Sequence, residues 1–302
     1  MKVFSKFYGF LAFLISGFFA VFLQLSAQHQ SNAVESSLWF VDSGLAAGLK
    51  DPVVLDTRSF FWRTKDPVPG AKPIDWQEIS EPKLPSKGNL LENAKVLSIL
   101  KEYNVDQKSN VLVLGDGGSG FGEEGRIVWS LRQVGVSQSY WLDGKVSEYL
   151  KAVKRENQKK ISGFVYKTQT GSKKITITKS ELFSALKSNQ FTILDTREAR
   201  EYKGETPYGE TRGGIIPNAK PFYFKDFIRE DGRVKSKEEV LKILSDRKIP
   251  LDKPFVTYCT GGIRSAYVAG VLNSYGIPTY NYAGSMWEWS ADKNFPVVKT
   301  SD

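Results

Sequence analysis

The 302-residue chain has one cysteine, Cys259, and one histidine, His29. A single cysteine excludes an intramolecular disulfide, and one cysteine with one histidine leaves no Cys/His zinc site. The carboxylates are not clustered either, so no metal is expected. His29 falls beside an N-terminal leader, which removes Ser-His-Asp and Cys-His catalysis from the body of the chain. Whatever chemistry Cys259 performs, no imidazole activates it. Blocks of like charge are also missing. The net charge is +9 with both signs interspersed, so no arm or tail marks a nucleic-acid partner. The lysine-rich "KAVKRENQKK" (151–160) reads as a solvated helix end and linker. A mildly positive body suits small anionic substrates.

There is one long apolar run. "MKVFSKFYGF" carries Lys2 and Lys6 with no acid, "GFLAFLISGFFAVFLQL" follows, and "LSA" ends at the small residue Ala27. This is the layout of a secretory signal peptide over residues 1–27. It predicts an exported body of charge +7, periplasmic or secreted. The alternative is an uncleaved anchor, since the run approaches membrane-spanning length. Only then would the protein touch a membrane. No cysteine follows the run, which argues against a lipoprotein anchor. A lone thiol kept in an oxidising compartment points to chemistry.

What is present is a repeat. "VVLDTRS" (53–59) recurs as "TILDTRE" (192–198), and "VPGAKPIDW" (68–76) as "IPNAKPFYF" (216–224). "VLVLGDGGSG" (111–120) recurs as "PFVTYCTGGI" (254–263), and "LRQVGVSQSYWLDG" (131–144) as "LNSYGIPTYNYAG" (272–284). Four matches in one order, each roughly 140 residues apart, mark a tandem duplication. In each unit short β-branched runs alternate with helical patterns, which predicts an α/β fold with a mostly parallel sheet flanked by helices. Ser236 with Glu239 makes a capping box, and Gly276 marks a helix stop. The expected boundaries are a first unit at 36–152, a linker at 153–175 and a second unit at 176–300.

Cys259 follows the run "FVTY" and opens the loop "CTGGIR" ahead of a helix. Ligands of parallel sheets gather at such strand ends. Gly261 and Gly262 let successive N–H groups converge, and the helix N-terminus adds positive potential at the same point. Both effects favour thiolate, so the loop is a cradle for an anion on Sγ. "GDGGSG" (115–120) matches a nucleotide-binding pattern but aligns with this loop in the repeat, so it reads as a relic cradle.

"CTGGIRS", "LDTREAREYKGE", "RGGIIPNA", "EDGRVKSKEEVLKIL" and "YAGSMWEW" resemble, in order, the blocks of the tandem-domain rhodanese sulfurtransferases, over about residues 37–299. The resemblance implies two rhodanese-like domains facing each other across a cleft. The first is inactive, with Asp116 in the place of the cysteine and Phe121 where the working loop has Arg264. It implies sulfur transfer from thiosulfate or a similar small anionic donor through a Cys259 persulfide, with no cofactor. The acceptor would be thiophilic: cyanide, a thiol or a protein. The amides of Thr260, Gly261, Gly262 and Ile263 would hold the sulfur. Arg264 would brace the loop or bind substrate, and Arg212 is the candidate for the donor's sulfonate oxygens. Four residues between Cys259 and Arg264 size the loop for one sulfur atom, smaller than the cradle of a tyrosine-phosphatase-like loop. "GIIPNA" carries Ile215 where the family has histidine, and Glu201 stands where some members bind substrate through arginine. 3-Mercaptopyruvate is the alternative donor, although its helper residues are missing. A non-turnover sulfur carrier is the alternative from another class.

Overall fold

The computed structural model describes residues 38–159 and 174–300. The expected leader, and residues 160–173 of the expected linker, lie outside the described residues. The first unit runs β1 (Phe40–Val41), α1 (Ser43–Ala47), β2 (Val53–Asp56), α2 (Phe60–Lys65), β3 (Lys72–Pro73), α3 (Asn93–Glu102), β4 (Val111–Leu114), α4 (Glu123–Gln133), β5 (Ser139–Leu142) and α5 (Val146–Lys159). The second runs α6 (Lys179–Ser188), β6 (Thr192–Asp195), α7 (Ala199–Tyr202), β7 (Lys220–Pro221), α8 (Lys237–Asp246), β8 (Phe255–Tyr258), α9 (Ile263–Ser274), β9 (Thr279–Asn281) and α10 (Ser285–Ala291). Helix α5 continues to Lys159, so it takes in the first residues of the expected linker.

Both sheets are parallel, and the duplication shows in their topology. The order β3-β2-β4-β5 of the first sheet repeats as β7-β6-β8-β9 in the second. Register repeats too: Asp56 pairs with Leu114, and Asp195 with Tyr258. Strand β1 extends the first sheet beside β5, and Thr176 bridges Asn281 at the matching edge of the second. The turn position that Gly70 fills at φ +77° is taken by Asn218 at φ +66°, one of the few side chains that tolerate it. Ser236 and Glu239 form the expected capping box, and Gly276 follows α9 at φ +81°.

Strand pleating sorts the side chains into three cores, because successive residues face opposite sides of a sheet. Leu112 and Leu114 enter an outer core of the first unit, while Val111 and Val113 face inward. Val256 and Tyr258 enter an outer core of the second unit, while Phe255 faces inward. The inward residues of both sheets share one cluster with Trp129, Trp141, Phe224 and Tyr267. The two units therefore share an inner core in addition to the outer core that each has to itself. Alternation past Phe255 turns Thr257 toward α9, where its hydroxyl donates to the Ser265 carbonyl at 3.0 Å. The same step of two brings Cys259 to the inner layer.

Helices α4 and α9 cross where the units meet, and glycines set how close they come. A Cβ on Gly125 would lie 2.6 Å from Tyr267 Cα, and one on Gly270 would lie 2.8 Å from the Trp141 ring. Gly125→Ala therefore separates two effects. Helix propensity alone predicts a gain of up to about 1 kcal/mol. The backbone collision predicts a loss of about 1–3 kcal/mol instead. Urea denaturation is expected to show the loss.

Candidate active site

Cys259 is the first residue after β8, and Gly262, at φ +81°, caps α9. The turn in between is pinned from outside by α10. Met286 N–H donates to the Cys259 carbonyl at 3.1 Å, and Trp287 N–H donates to that of Thr260 at 2.9 Å. Those bonds leave the amides of the turn pointing inward. Gly262 N–H donates to Cys259 Sγ at 3.1 Å, and the Ser265 hydroxyl stands 3.7 Å from it. The Cys259 amide itself donates to Ser285 Oγ at 3.1 Å. Gly261 must lack a side chain, because a Cβ there would come within 2.1 Å of the Trp287 ring.

Arg264 turns back under the loop. Its two terminal nitrogens donate to the two oxygens of Glu201 at 2.6 and 2.8 Å, and one also donates to Thr260 Oγ1 at 2.8 Å. The Thr260 hydroxyl lies between Glu201 and Glu210, 3.1 Å from the latter. Glu201 sits at the third position of α7 and is fully buried. Burial pushes the Glu201 carboxyl up, but the Arg264 guanidinium overcomes that and holds it below the usual carboxylate range. Burial likewise pushes the Cys259 thiol up. Arg264, the amides of Ser265 and Gly261 and the Ser265 hydroxyl outweigh it, so the thiol ends below its ordinary value.

Sγ opens onto a cavity of about 180 Å³ lined by Trp76, Phe121, Glu123, Tyr208, Cys259, Thr260, Gly261, Ile263, Arg264 and Trp287. Trp76, Phe121 and Glu123 come from the first unit, so the site is built between the two. Lys87 stands at its edge, with Nζ 5.6 Å from the Trp287 ring and 6.0 Å from that of Trp76. The Cys259 loop, Thr260 to Ile263 and Arg264 thus come together. Arg264 takes the bracing role, because its fork is occupied by Glu201.

Three expectations need correction. Arg212 does not reach the cavity. Its guanidinium donates to the carbonyls of Ser290 (2.7 Å), Asp292 (2.7 Å), Phe295 (2.9 Å) and Trp289 (3.3 Å), which closes the C-terminal end of α10. Its Nε and one terminal nitrogen are committed to these carbonyls, which holds the guanidinium at the end of α10 rather than on the cavity wall. Strand register places Gly115, not Asp116, opposite Cys259, because Leu114 and Tyr258 pair with equivalent residues. The relic loop is also longer, running from Gly115 to Gly122 before α4. Counted from the start of each helix, the Arg264 position is taken by Glu124 rather than Phe121. Glu124 is buried without a cation, and desolvation pushes its carboxyl up to about 8. Asp195 and Arg197 form a buried ion pair at 2.6 Å, matched by Asp56 and Arg58 at 2.8 Å, so this motif braces both units.

Sequence reasoning missed Trp76, Glu123, Tyr208 and Lys87, which lie in loops or at element ends with no pattern of their own. Glu201 carried a signal: an acid at the buried third position of a short helix, in a unit whose catalytic loop presents one arginine.

Fold and site define a parallel α/β protein with a buried thiol, lowered in pKa, on a strand-to-helix loop between two like units. Residues 178–292 match the rhodanese-like domain. The thiosulfate sulfurtransferase of Pseudomonas aeruginosa is 24% identical over 254 residues, covering 83% of this chain and 92% of that protein. Human 3-mercaptopyruvate sulfurtransferase is 26% identical over 239 residues, covering 74% and 76%. The crystal structure of SseA from Escherichia coli, a 3-mercaptopyruvate sulfotransferase, superposes with a TM-score of 0.62 at 21% identity, over 82% of this chain and 98% of that one. Tum1 from Saccharomyces cerevisiae gives 0.66 at 17% identity, over 88% and 99%. The second unit thus carries a rhodanese-like domain, and the chain over most of its length is similar to thiosulfate and 3-mercaptopyruvate sulfurtransferases.

The buried pair gives a pH prediction. The folded pKa of Glu201 is depressed, so its contribution to stability is complete above the ordinary carboxylate pKa and is lost as pH falls through the folded value. Glu201→Gln leaves the buried Arg264 with only the more distant Glu198 carboxylate, 3.9 Å away, at a cost of about 3 kcal/mol at neutral pH. Thermal unfolding followed from pH about 6 to about 3 is expected to show the two proteins converging as the wild type is acidified.

Proposed function

We propose that the protein is a sulfurtransferase that carries a sulfane sulfur on Cys259, with thiosulfate or a similar small anion as donor. The observation that supports this most strongly is the Gly262 amide 3.1 Å from a thiol held below its ordinary pKa, in a cradle with room for one more sulfur. In the proposed reaction the Cys259 thiolate attacks the outer sulfur of thiosulfate. The S–S bond of the donor breaks, a new bond forms to Sγ, and sulfite leaves with the electron pair. The negative charge moves to the terminal sulfur of the persulfide, within reach of the loop amides. A thiophilic anion such as cyanide then takes that sulfur as thiocyanate and restores the thiolate. This is covalent catalysis in two half-reactions.

With Arg212 closing α10 and Arg264 committed to Glu201, Lys87 is the cation left to meet the sulfonate oxygens at the cavity edge. The aromatic walls exclude water around the transferring sulfur. Both thiosulfate and 3-mercaptopyruvate sulfurtransferases occur among the relatives. The units hold no histidine to assist a mercaptopyruvate, so thiosulfate is the donor we favour. We also read residues 1–27 as an export signal, which places the enzyme outside the cytoplasm. Recovery of the protein outside the cytoplasm would support that reading, and recovery in the cytoplasm would contradict it. A start at Gln28 or at Met1 separates a cleaved signal from an uncleaved anchor.

Turnover of thiosulfate and cyanide by the purified protein is the test. Cys259→Ser is expected to abolish thiocyanate formation with the circular-dichroism melt unchanged. Lys87→Ala is expected to raise the KM for thiosulfate roughly tenfold, the loss of about one charged hydrogen bond. A wild type that takes one sulfur but does not turn over would instead be a carrier.

A further inference from the structure

The unit without a cysteine places a buried arginine against the cysteine loop. Arg126, on α4, is fully buried. One terminal nitrogen donates to the Gly262 carbonyl at 3.3 Å, and the other to the Gly88 carbonyl at 2.8 Å and to Ser80 Oγ at 3.0 Å. Its Nε is buried with no hydrogen-bond partner. Among the described residues no carboxylate forms an ion pair with it. The faces of Trp129, at 4.9 Å, and Trp76, at 5.8 Å, flank the guanidinium instead. A buried cation with no anion is costly, and proteins rarely keep one without use.

We propose that Arg126 is the counter-cation that keeps the Cys259 thiolate, and the persulfide formed from it, in the ionised state. Gly262 joins the two, with its carbonyl on Arg126 and its amide on Sγ. The packing enforces this approach: a Cβ on Gly262 would lie 2.8 Å from Arg126 Nη1, and one on Gly88 would lie 2.7 Å from the Gly261 carbonyl oxygen. Arg264 is also near Sγ, but its charge is shared with Glu201. Glu210 beyond Thr260 and Glu123 on the cavity wall add negative charge around the loop, and Lys87 is at the edge. Among the described residues, Arg126 is thus the one arginine facing the loop whose positive charge no carboxylate offsets. Burial presses its pKa down to about 10, and Cys259 is the group that raises it back. It remains charged at neutral pH. Because Arg126 acts through Gly262 and its field rather than on the donor, it is a positioning residue. The cysteine-less unit then has a working role: it supplies the charge that the cysteine-bearing unit has neutralised.

This inference rests on the reading of Cys259 as a persulfide carrier, but its test needs neither donor nor acceptor. Alkylation of Cys259 by iodoacetamide is followed against pH in wild type, Arg126→Gln and Arg126→Lys, each checked for a native circular-dichroism spectrum. Gln keeps a donor for the Gly88 carbonyl without the charge, and Lys keeps the charge without the fork. The Gln profile is expected to move to higher pH, with alkylation at neutral pH slowed about tenfold, one pKa unit. The Lys profile is expected to stay within about threefold of wild type although its thermal midpoint falls. A Gln profile superimposed on wild type, or a Lys profile displaced as far as Gln, overturns the proposal. If the wild type turns over thiosulfate and the Gln profile is unmoved, only the role of Arg126 fails. If the profile moves but no donor is turned over, only the sulfurtransferase reading fails.

Discussion

A thiolate buried away from water must find its positive charge inside the protein, and the arrangement around Cys259 follows from that constraint. The thiol is 1% exposed, yet its pKa is lowered rather than raised. Neither unit contains a histidine, so among the described residues the compensation comes from fixed dipoles and from arginine. The amides are aimed at Sγ because α10 ties down the carbonyls of the same turn. Arginine next to a loop is long and flexible, and Glu201 fixes it in place. The Glu201–Arg264 pair fixes the loop geometry, and Arg264 lowers the thiol although Glu201 shares its charge. That division of labour leaves a second cation with a purpose, and the structure holds one in Arg126.

The duplication explains why that cation arrives from the other unit. Two copies of one sheet topology meet through their inward faces and share a single hydrophobic cluster. In one copy the strand-to-helix loop is four residues long and carries the cysteine. In the other it is eight residues long, with Gly115 and Glu124 in the places of the cysteine and the buried arginine. Its helix α4 nevertheless remained pressed against α9, and through it the first unit gives the site Arg126, Phe121 and Glu123. The asymmetric pair is one functional unit, because neither half encloses the cavity alone.

The parts of this arrangement that repeat were legible in the sequence. Parallel strands, the cysteine at a strand end, the glycine turn and the Ser236 cap all leave local patterns, since each follows from backbone geometry at fixed spacing. The Asp-Thr-Arg motifs were legible as a repeat for the same reason, and the structure shows them as buried ion pairs in both units. The errors arose where the two copies differ in length. A loop longer by four residues shifts every equivalence drawn by eye from its flanking strand, and so Asp116 and Phe121 were matched to the wrong partners. Arg212 carried the right charge in a plausible loop, but the C-terminal carbonyls of α10, nearly eighty residues on, claim it. Contacts of that span leave no trace in composition or period. Trp76, Lys87 and Arg126 were invisible for the same physical reason, since only the docking of one unit on the other brings them to the cysteine. Tyr208 reaches it through a loop carbonyl held by Trp287, far along the chain.

The central claim is that Cys259 holds one extra sulfur in this cradle, and the mass of the intact protein reads that state directly. After incubation with thiosulfate and removal of the excess, the wild type is expected to gain the mass of one sulfur atom. Cyanide should then remove it, with release of one equivalent of thiocyanate. A wild-type mass unchanged by thiosulfate, or a gain that persists in Cys259→Ser, would contradict the account.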